Sequence, residues 1–422
     1  MTARVGRSEP DRPSLRPTPA AARGPVRGAA QVSVTELLSR LRQEDFPRSG
    51  AVVLGGGCAG LALAVALVEA GGAVAVVEAR TGDRDERTWC YWDTGQAVMP
   101  EAASRSWDRW EVRAGAGRVV ASDAAHPYRM VRARDYRAVA RERLARSATG
   151  RIVDGVRVSV GADERPGGRD VPRLFDARGP MPSVAVPAGR VLLHQRFVGQ
   201  WIRTTRPVFD TAAVTLMDFP ESRAPSGVRF FYVLPVAADL ALVECTVFSA
   251  VEHVSEPFRR HIADYVRSRW GLDPGEWQVE GQEAGSIPMT DAPAPWPGRS
   301  GVPLGLRAGA ARPSTGYAYT RIQLAARRIA SAGGRGAPPI RDPFRTRVLD
   351  AVFLRFLRDQ PHRAPEVFLR LFGRLPGPLT VRFLTERSTL RDDLRLVLAL
   401  PKAPFLRAAA TTARERLRAV LP

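Results

Sequence analysis

The residues best placed to do chemistry come early. Gly55, Gly57 and Gly60 lie in Ala51-Val-Val-Leu-Gly-Gly-Gly-Cys-Ala-Gly60 with the spacing G-x-G-x-x-G, and Glu78 follows 18 residues after Gly60. That pattern suits a dinucleotide. The first glycine permits a tight turn, the second lets a pyrophosphate approach the backbone, and the third lets helix and strand pack closely. The start of the following helix offers unpaired N–H groups and a partial positive charge to the phosphates. Glu78 is spaced to accept hydrogen bonds from a ribose. The elements that must hold these residues are legible around them. An apolar run at 51–54 predicts a strand, 61–70 a helix and 73–77 a second strand, which together make a βαβ unit.

The same stretch carries only Glu69 and Glu78 as charges between Ala51 and Ala79. Glycines at 55, 56, 57, 60, 71 and 72 interrupt it, so it reads as strand–helix–strand and not as a membrane span. The N-terminus shows no apolar signal region. The net charge is +20, yet Lys402 is the sole lysine and the arginines are spread along the chain. An Arg, Ala, Gly and Pro bias of this kind follows from a GC-rich genome, so no nucleic-acid partner is expected; attraction to anionic membrane surfaces is. Three scattered cysteines, Cys58, Cys90 and Cys245, build no disulfide framework and fit a reducing cytoplasm. There is no metal-spaced His/Cys/Asp cluster, no G-x-S-x-G elbow and no P-loop lysine, so no metal site is expected.

Residues 1–48 read as a disordered basic tail, with a short amphipathic helix at 34–42 inside it, and their deletion is expected to leave activity intact. Residues 140–150 read as helix, 151–160 as strand, 161–170 as a polar loop and 174–179 as a strand entering a turn. β-branched and aromatic residues dominate 191–249, which predicts a mainly antiparallel sheet. A helical period follows at 252–270, a proline-rich loop at 287–297 and a helix at 321–332. From Pro343 on the spacing is helical. This order predicts an α/β fold: a Rossmann-type discontinuous domain at 49–190 and 286–335, an inserted antiparallel β substrate domain at 191–285, and a helical region at 336–422.

Further strings narrow the reading. They are Arg87-Thr-Trp-Cys-Tyr-Trp92, His126-Pro-Tyr128, Asp176-Ala-Arg-Gly179, His194-Gln-Arg-Phe-Val-Gly199, Thr215-Leu-Met-Asp-Phe219, Tyr232-Val-Leu-Pro235, Leu242-Val-Glu-Cys-Thr246, Ile287-Pro-Met-Thr290, Arg312-Pro-Ser-Thr-Gly-Tyr317 and Arg382-Phe-Leu384. In that order they resemble the lycopene β-cyclases of bacteria and plants over about residues 50–407. The resemblance implies a flavoprotein-monooxygenase-like fold and a redox-neutral reaction. A linear C40 polyene is protonated at a terminal double bond, the tertiary cation is attacked by the neighbouring double bond, and proton loss leaves a β-ionone ring. It also implies reduced FAD as cofactor, with NAD(P)H as electron source.

Alkene protonation needs a dry, strong acid, and a carboxyl in an apolar pocket stays protonated near neutral pH. Glu244, alone in the apolar run 240–248, fits that role and occupies the first acidic position of the family's motif. By resemblance Trp89 and Trp92 face the cation. The same resemblance implies that Arg87 and Thr88 lie against the flavin, that Arg134 touches its ribityl or phosphate part and that Asp176 lies near the adenosine. Gly309 and the turn Pro313, Ser314, Thr315 and Gly316 cover the flavin. His194 orients a strand or loop. Two positions depart from the family pattern: Cys245 replaces an acid, and Ala308 replaces a glycine. Asp218 and Glu386 are the reserve carboxyls. An apolar substrate and the arginine-flanked apolar residues of 353–374 imply a peripheral protein on the cytoplasmic face of the cell membrane. Two rivals remain open here. One is an FAD-dependent hydroxylase, epoxidase or prenyl reductase on the same scaffold, and the other is a basic adaptor that needs neither flavin nor Glu244.

Overall fold

The computed structural model describes residues 29–82, 87–159, 172–179, 186–221, 227–251, 257–293, 301–334 and 342–419. The loop at 161–170 and the first 28 residues of the tail lie outside them. The rest of the tail is built into the fold, contrary to the disorder expected there. β1 (Ala30–Ser33) pairs in parallel with a later strand at 156–159. Ser33 then caps α1 (Val34–Gln43) by accepting the Glu36 N–H. Val34, Leu37, Leu38 and Leu41 recur at helical spacing, and with Phe46 they bury against Val52, Leu54, Ala75 and Val77. The amphipathic helix read at 34–42 is α1, and its apolar stripe is what ties the segment to the sheet.

β2 (Ala51–Leu54), α2 (Cys58–Glu69) and β3 (Val74–Glu78) form the expected βαβ unit, with β2 and β3 parallel. α2 is apolar nearly all round because helices flank it on two sides. β4 (Thr88–Trp92), β5 (Ala103–Trp107), β6 (Arg109–Ala114), β7 (Gly117–Ser122) and β8 (Tyr128–Arg132) follow. Then come α3 (Ala133–Ala145), β9 (Gly150–Asp154), β10 (Val156–Ser159) and β11 (Arg173–Asp176). Gly155 splits the predicted strand at 151–160 into β9 and β10, which enter different sheets. The antiparallel region holds β12 (Leu192–Thr204), β13 (Val214–Phe219), β14 (Val228–Ala237), β15 (Leu240–Ser249), α4 (Phe258–Trp270) and β16 (Trp277–Thr290). The chain returns through β17 (Val302–Pro303) to α5 (Tyr319–Ser331). It ends in α6 (Phe344–Asp359), α7 (Ala364–Arg374), α8 (Gly377–Leu384), α9 (Leu390–Ala399) and α10 (Lys402–Arg418).

Among the described residues, β17-β11-β2-β3-β9 make a parallel sheet with α2, α3 and α5 on one face and α1 on the other. Seven strands, β16-β12-β15-β14-β13-β6-β7, make the large sheet. It recruits the hairpin β6–β7 from within 49–190, so the two units interleave more than a single insertion at 191–285 allows. β16 also continues through Pro288 to Thr290, where a loop was expected. β16 is an edge strand, where a proline costs no inner ladder bond. One face of the large sheet packs on α4, around Ile202, Phe231, Val233, Val243 and Cys245. The other packs on Trp92, Tyr128 and the C-terminal helices. There Leu354, Phe356, Leu357, Phe368, Leu371 and Phe372 are core residues, and the fully buried Arg355 meets Glu415 at 2.7 Å. The stripe expected at a membrane surface in 353–374 therefore faces inward. No helix among the described residues is long and apolar enough to cross a membrane.

Candidate active site

The parallel sheet delivers Leu54, Glu78 and Asp176 to its carboxyl edge, where ligands bind in open α/β sheets. Gly55 turns the chain at φ +103° and donates its N–H to the Val77 carbonyl at 2.8 Å. A Cβ on Gly60 would overlap the Gly55 carbonyl, whereas one on Gly57 would meet nothing within 4 Å. The loop is thus closed from behind and open in front. No side chain caps α2 at Gly57, so its first N–H groups face that opening. Glu78 fixes the loop by accepting from the Gly56 N–H at 2.6 Å and the Arg80 N–H at 3.0 Å. A cavity beside it is lined by Gly56, Leu61, Glu78, Arg80, Arg137 and Asp154, among others. Arg137 is a lining residue that the sequence did not single out. Arg134 instead pairs with the adjacent Asp135 at 3.2 Å and is absent from that lining.

Asp176 is buried and clasped by Arg178 at 2.8 Å and Arg307 at 3.3 Å. It thereby ties β11 to the short 3-10 turn Gly305–Ala308 that ends at Gly309. A Cβ on Gly305 would press on Ala59 at 2.8 Å, which seats this turn on the first turn of α2. The Ala308 substitution sits in it without disturbing the left-handed Gly309. In the next turn the Gly316 N–H donates to the Arg312 carbonyl at 2.8 Å. Ser314 does not cap a helix: its hydroxyl donates to Asp350 at 2.6 Å, and Arg312 reaches the same carboxylate at 3.2 Å. The Thr315 hydroxyl accepts from the Tyr317 N–H. Gly316 thus lies close against Gln195 of β12, where a Cβ would meet the amide oxygen at 2.2 Å, while the side chains of Arg312 and Ser314 are anchored to Asp350 of α6.

Glu244 lies on the aromatic face of the large sheet. Its register partners are Gly199 on β12 and Tyr232 on β14, and Gly199 in turn pairs with Glu283 on β16. Gly199 separates two carboxyl side chains: a Cβ there would lie 3.2 Å from Cγ of Glu283 and 3.6 Å from Cβ of Glu244. The Thr246 hydroxyl donates to Glu244 at 2.6 Å, and the Thr88 hydroxyl donates to Glu283 at 2.7 Å. Burial pushes Glu244 up to about 8 from its ordinary 4.5, against the Thr246 hydrogen bond and with the negative charge of Glu283. The carboxyl is therefore protonated at neutral pH. Around it, Tyr128 and Tyr232 share a hydroxyl contact of 3.0 Å. Burial holds the Cys90 thiol and the Tyr317 phenol up at about 12, so both stay neutral. Glu283 escaped the sequence reading because it sits in a polar stretch of an edge strand. Only the pairing register brings it beside Glu244.

Strand alternation corrects several expectations. Trp89 and Trp92 point to opposite sides of β4, so they cannot face one cation together. Trp89 packs edge-on against Tyr136 at 5.4 Å, in the nucleotide domain. Trp92 lies with Trp110 at 4.4 Å and Tyr128 at 4.6 Å, on the Glu244 side. Arg87 and Thr88 use their side chains to pin β4 to β16, at the Ala284 carbonyl and at Glu283. Cys245 points into the core under α4, so an acid there would face away from Glu244. Asp218 is on that same far face, held by the Tyr265 hydroxyl at 2.8 Å and by Arg113 and Arg269 at 3.6 Å each. Glu386 does line a cleft with Cys90, Trp92 and Tyr317, but Arg321 holds its carboxylate at 2.5 Å. His194 sits on β12 between Ser249 and Pro288.

The family model described as lycopene cyclase protein matches residues 51–410. A lycopene beta-cyclase of Pseudescherichia vulneris is 32% identical over 250 residues, which are 55% of this chain and 61% of that protein. One from Paracoccus sp. is 30% identical over 273 residues, 60% of this chain and 64% of that protein. The aligned stretch thus spans under two thirds of these relatives' length. Among solved structures, a geranylgeranyl bacteriochlorophyll reductase-like protein from Thermoplasma acidophilum aligns over 86% of this chain and 98% of its own, at TM-score 0.54 and 11% identity. The flavin-dependent monooxygenase PieE, solved with FAD and substrate, aligns over 88% of this chain and 72% of its own, at TM-score 0.52 and 15% identity. At such identities the likeness is one of fold.

Proposed function

The chain belongs to the lycopene cyclase family, and on that premise we propose that it closes the linear ends of lycopene into β-ionone rings without net redox change. Neutral Glu244 on the aromatic face is the observation that carries this reading. It donates its proton to the terminal double bond, and the tertiary cation forms beside Trp92, Trp110 and the Tyr128–Tyr232 pair, whose π faces attract it. Cys90 and Tyr317 are held neutral, so they offer no thiolate or phenolate to trap the cation. The neighbouring double bond then attacks and the ring closes. A ring proton leaves to Glu283, and the dyad re-equilibrates across Gly199 to restore neutral Glu244. One proton enters and one leaves, so the product is an isomer of the substrate.

The glycine loop fits a dinucleotide: it has an open front at Gly57, uncapped N–H groups on α2 and a fixed Glu78. Gly55, Gly57, Gly60, Glu78, the turn ending at Gly309 and the backbone of 313–316 would hold FAD. In its reduced form, with NAD(P)H as electron source, FAD would supply negative charge near the cation. A C40 hydrocarbon is dissolved in the bilayer, so the protein works peripherally at the cytoplasmic membrane face. Expression in a lycopene-accumulating host, followed by chromatography of the pigments, tests the reading. γ- or β-carotene is expected. Unchanged lycopene beside folded, flavin-loaded protein would refute it and favour an FAD-dependent oxidoreductase acting on another isoprenoid.

A further inference from the structure

α9 is packed with its charges inside and its leucines outside. Asp392 and Asp393 are buried; Asp392 takes a two-pronged contact from Arg382 at 2.7 and 2.9 Å, and Asp393 meets Arg345 at 2.9 Å. On the opposite side Leu390, Leu394 and Leu398, one turn apart, are 70%, 60% and 57% exposed. Val397, on the same helix, is also 41% exposed. A water-soluble helix has the reverse arrangement. Arg387, Arg391, Arg395, Lys402 and Arg407 are exposed around the leucines, and the only acids between 387 and 407 are the two buried aspartates.

We propose that the outer face of α9 docks on the hydrocarbon–headgroup boundary of an anionic lipid membrane. Leucines enter the acyl region while the arginines meet headgroup phosphates. Charge complementarity selects this occupant. A second copy docking by the same face would set five cations against five, with no exposed acid between 387 and 407 to pair them. Position agrees as well. Leu384, Thr385 and Glu386, which line the cleft beside Cys90 and Tyr317, lead directly into α9. Docking would therefore set that cleft against the bilayer. Only this last point rests on the carotenoid reading.

The test is co-sedimentation of the full chain with phosphatidylglycerol/phosphatidylcholine vesicles and with pure phosphatidylcholine vesicles, for wild type and Leu394→Ser/Leu398→Ser. Tighter binding to the anionic vesicles is expected. The double variant should keep the wild-type thermal midpoint and bind at least about tenfold more weakly, since two leucines no longer leave water. Arg391→Glu/Arg395→Glu should abolish the preference for anionic lipid. Wild-type vesicle binding in the leucine variant would overturn the proposal. So would absence of binding by the wild type, or a solution dimer that dissociates on the leucine substitutions. Ring closure assayed in parallel separates the two ideas. The leucine variant should still cyclise detergent-dispersed lycopene and lose turnover only on vesicle-borne lycopene. Vesicle binding that depends on Leu394 and Leu398, without cyclisation in either format, would leave the surface standing and remove the cyclase.

Discussion

Replacing Glu244 by Gln should make the protein inactive and, at neutral to alkaline pH, more stable. Glu244 is raised by burial to about 8 from 4.5. A tenfold change in proton affinity is worth about 1.4 kcal/mol. Below pH 4.5 the carboxyl is neutral both folded and unfolded, so its ionisation costs the fold nothing. Between 4.5 and 8 the unfolded chain ionises while the folded site stays protonated, and stability falls with pH. Above 8 the loss levels off. Linkage puts the cost at about 3 kcal/mol at pH 7 and about 5 kcal/mol at pH 9. Glutamine keeps the shape and can still accept from the Thr246 hydroxyl, but it carries no titrating proton. Denaturant midpoints of wild type and Glu244→Gln at pH 5, 7 and 9 measure the difference directly. The two curves should nearly coincide at pH 5 and separate in favour of the variant as pH rises. Parallel curves from pH 5 to 9 would refute the buried neutral acid, whatever the effect on activity.

Other consequences follow from the same geometry. Wild-type turnover should fall as pH rises through about 8, as Glu244 loses its proton; a profile flat to pH 10 would move the acid elsewhere. Glu283→Gln should retain flavin absorbance and slow ring closure by about 10²-fold or more, the usual worth of a positioned proton acceptor. Asp218→Asn, on the far face of the sheet, should lower stability while carotene production continues. Gly57→Ala meets nothing in the protein, so its thermal midpoint should match wild type while flavin retention falls, as read from absorbance of the purified protein. Leu37→Ala should cost roughly 2–4 kcal/mol in denaturant unfolding, and a chain starting at residue 49 should lose more than that, since it uncovers a whole face of the parallel sheet.

The local elements were legible in the sequence where one segment contains its own logic. The glycine loop, its flanking strands and Glu78 lie in contiguous sequence, and the lone acid in an apolar strand marks Glu244 without any partner in view. What needed three dimensions was pairing. Glu283 becomes part of the site only through the register of β12 between β15 and β16, with Gly199 clearing the space. Trp89 and Asp218 looked eligible by type, and Cys245 stood out as the replacement of an acid, but period-two alternation turns all three positions away from Glu244. In the tail the amphipathic helix at 34–42 was legible, but not β1 or the docking of α1 on the parallel sheet, which depend on partners far along the chain. The C-terminal helices misled. Apolar residues with arginine neighbours suggested an outward face at 353–374, but those residues cover the sheet, and the exposed leucines belong to α9.

In the proposed reaction ring closure begins with a proton from Glu244 and ends with one returned, leaving the redox state untouched. Cyclisation in deuterated water, followed by mass spectrometry of the pigment, tests it most directly. An acid that exchanges with solvent should leave one deuterium in each ring formed, in a product otherwise isomeric with lycopene, with NAD(P)H consumed far below stoichiometry. A product gaining oxygen or two hydrogens, or one ring per NAD(P)H consumed, would rule out redox-neutral protonation by Glu244.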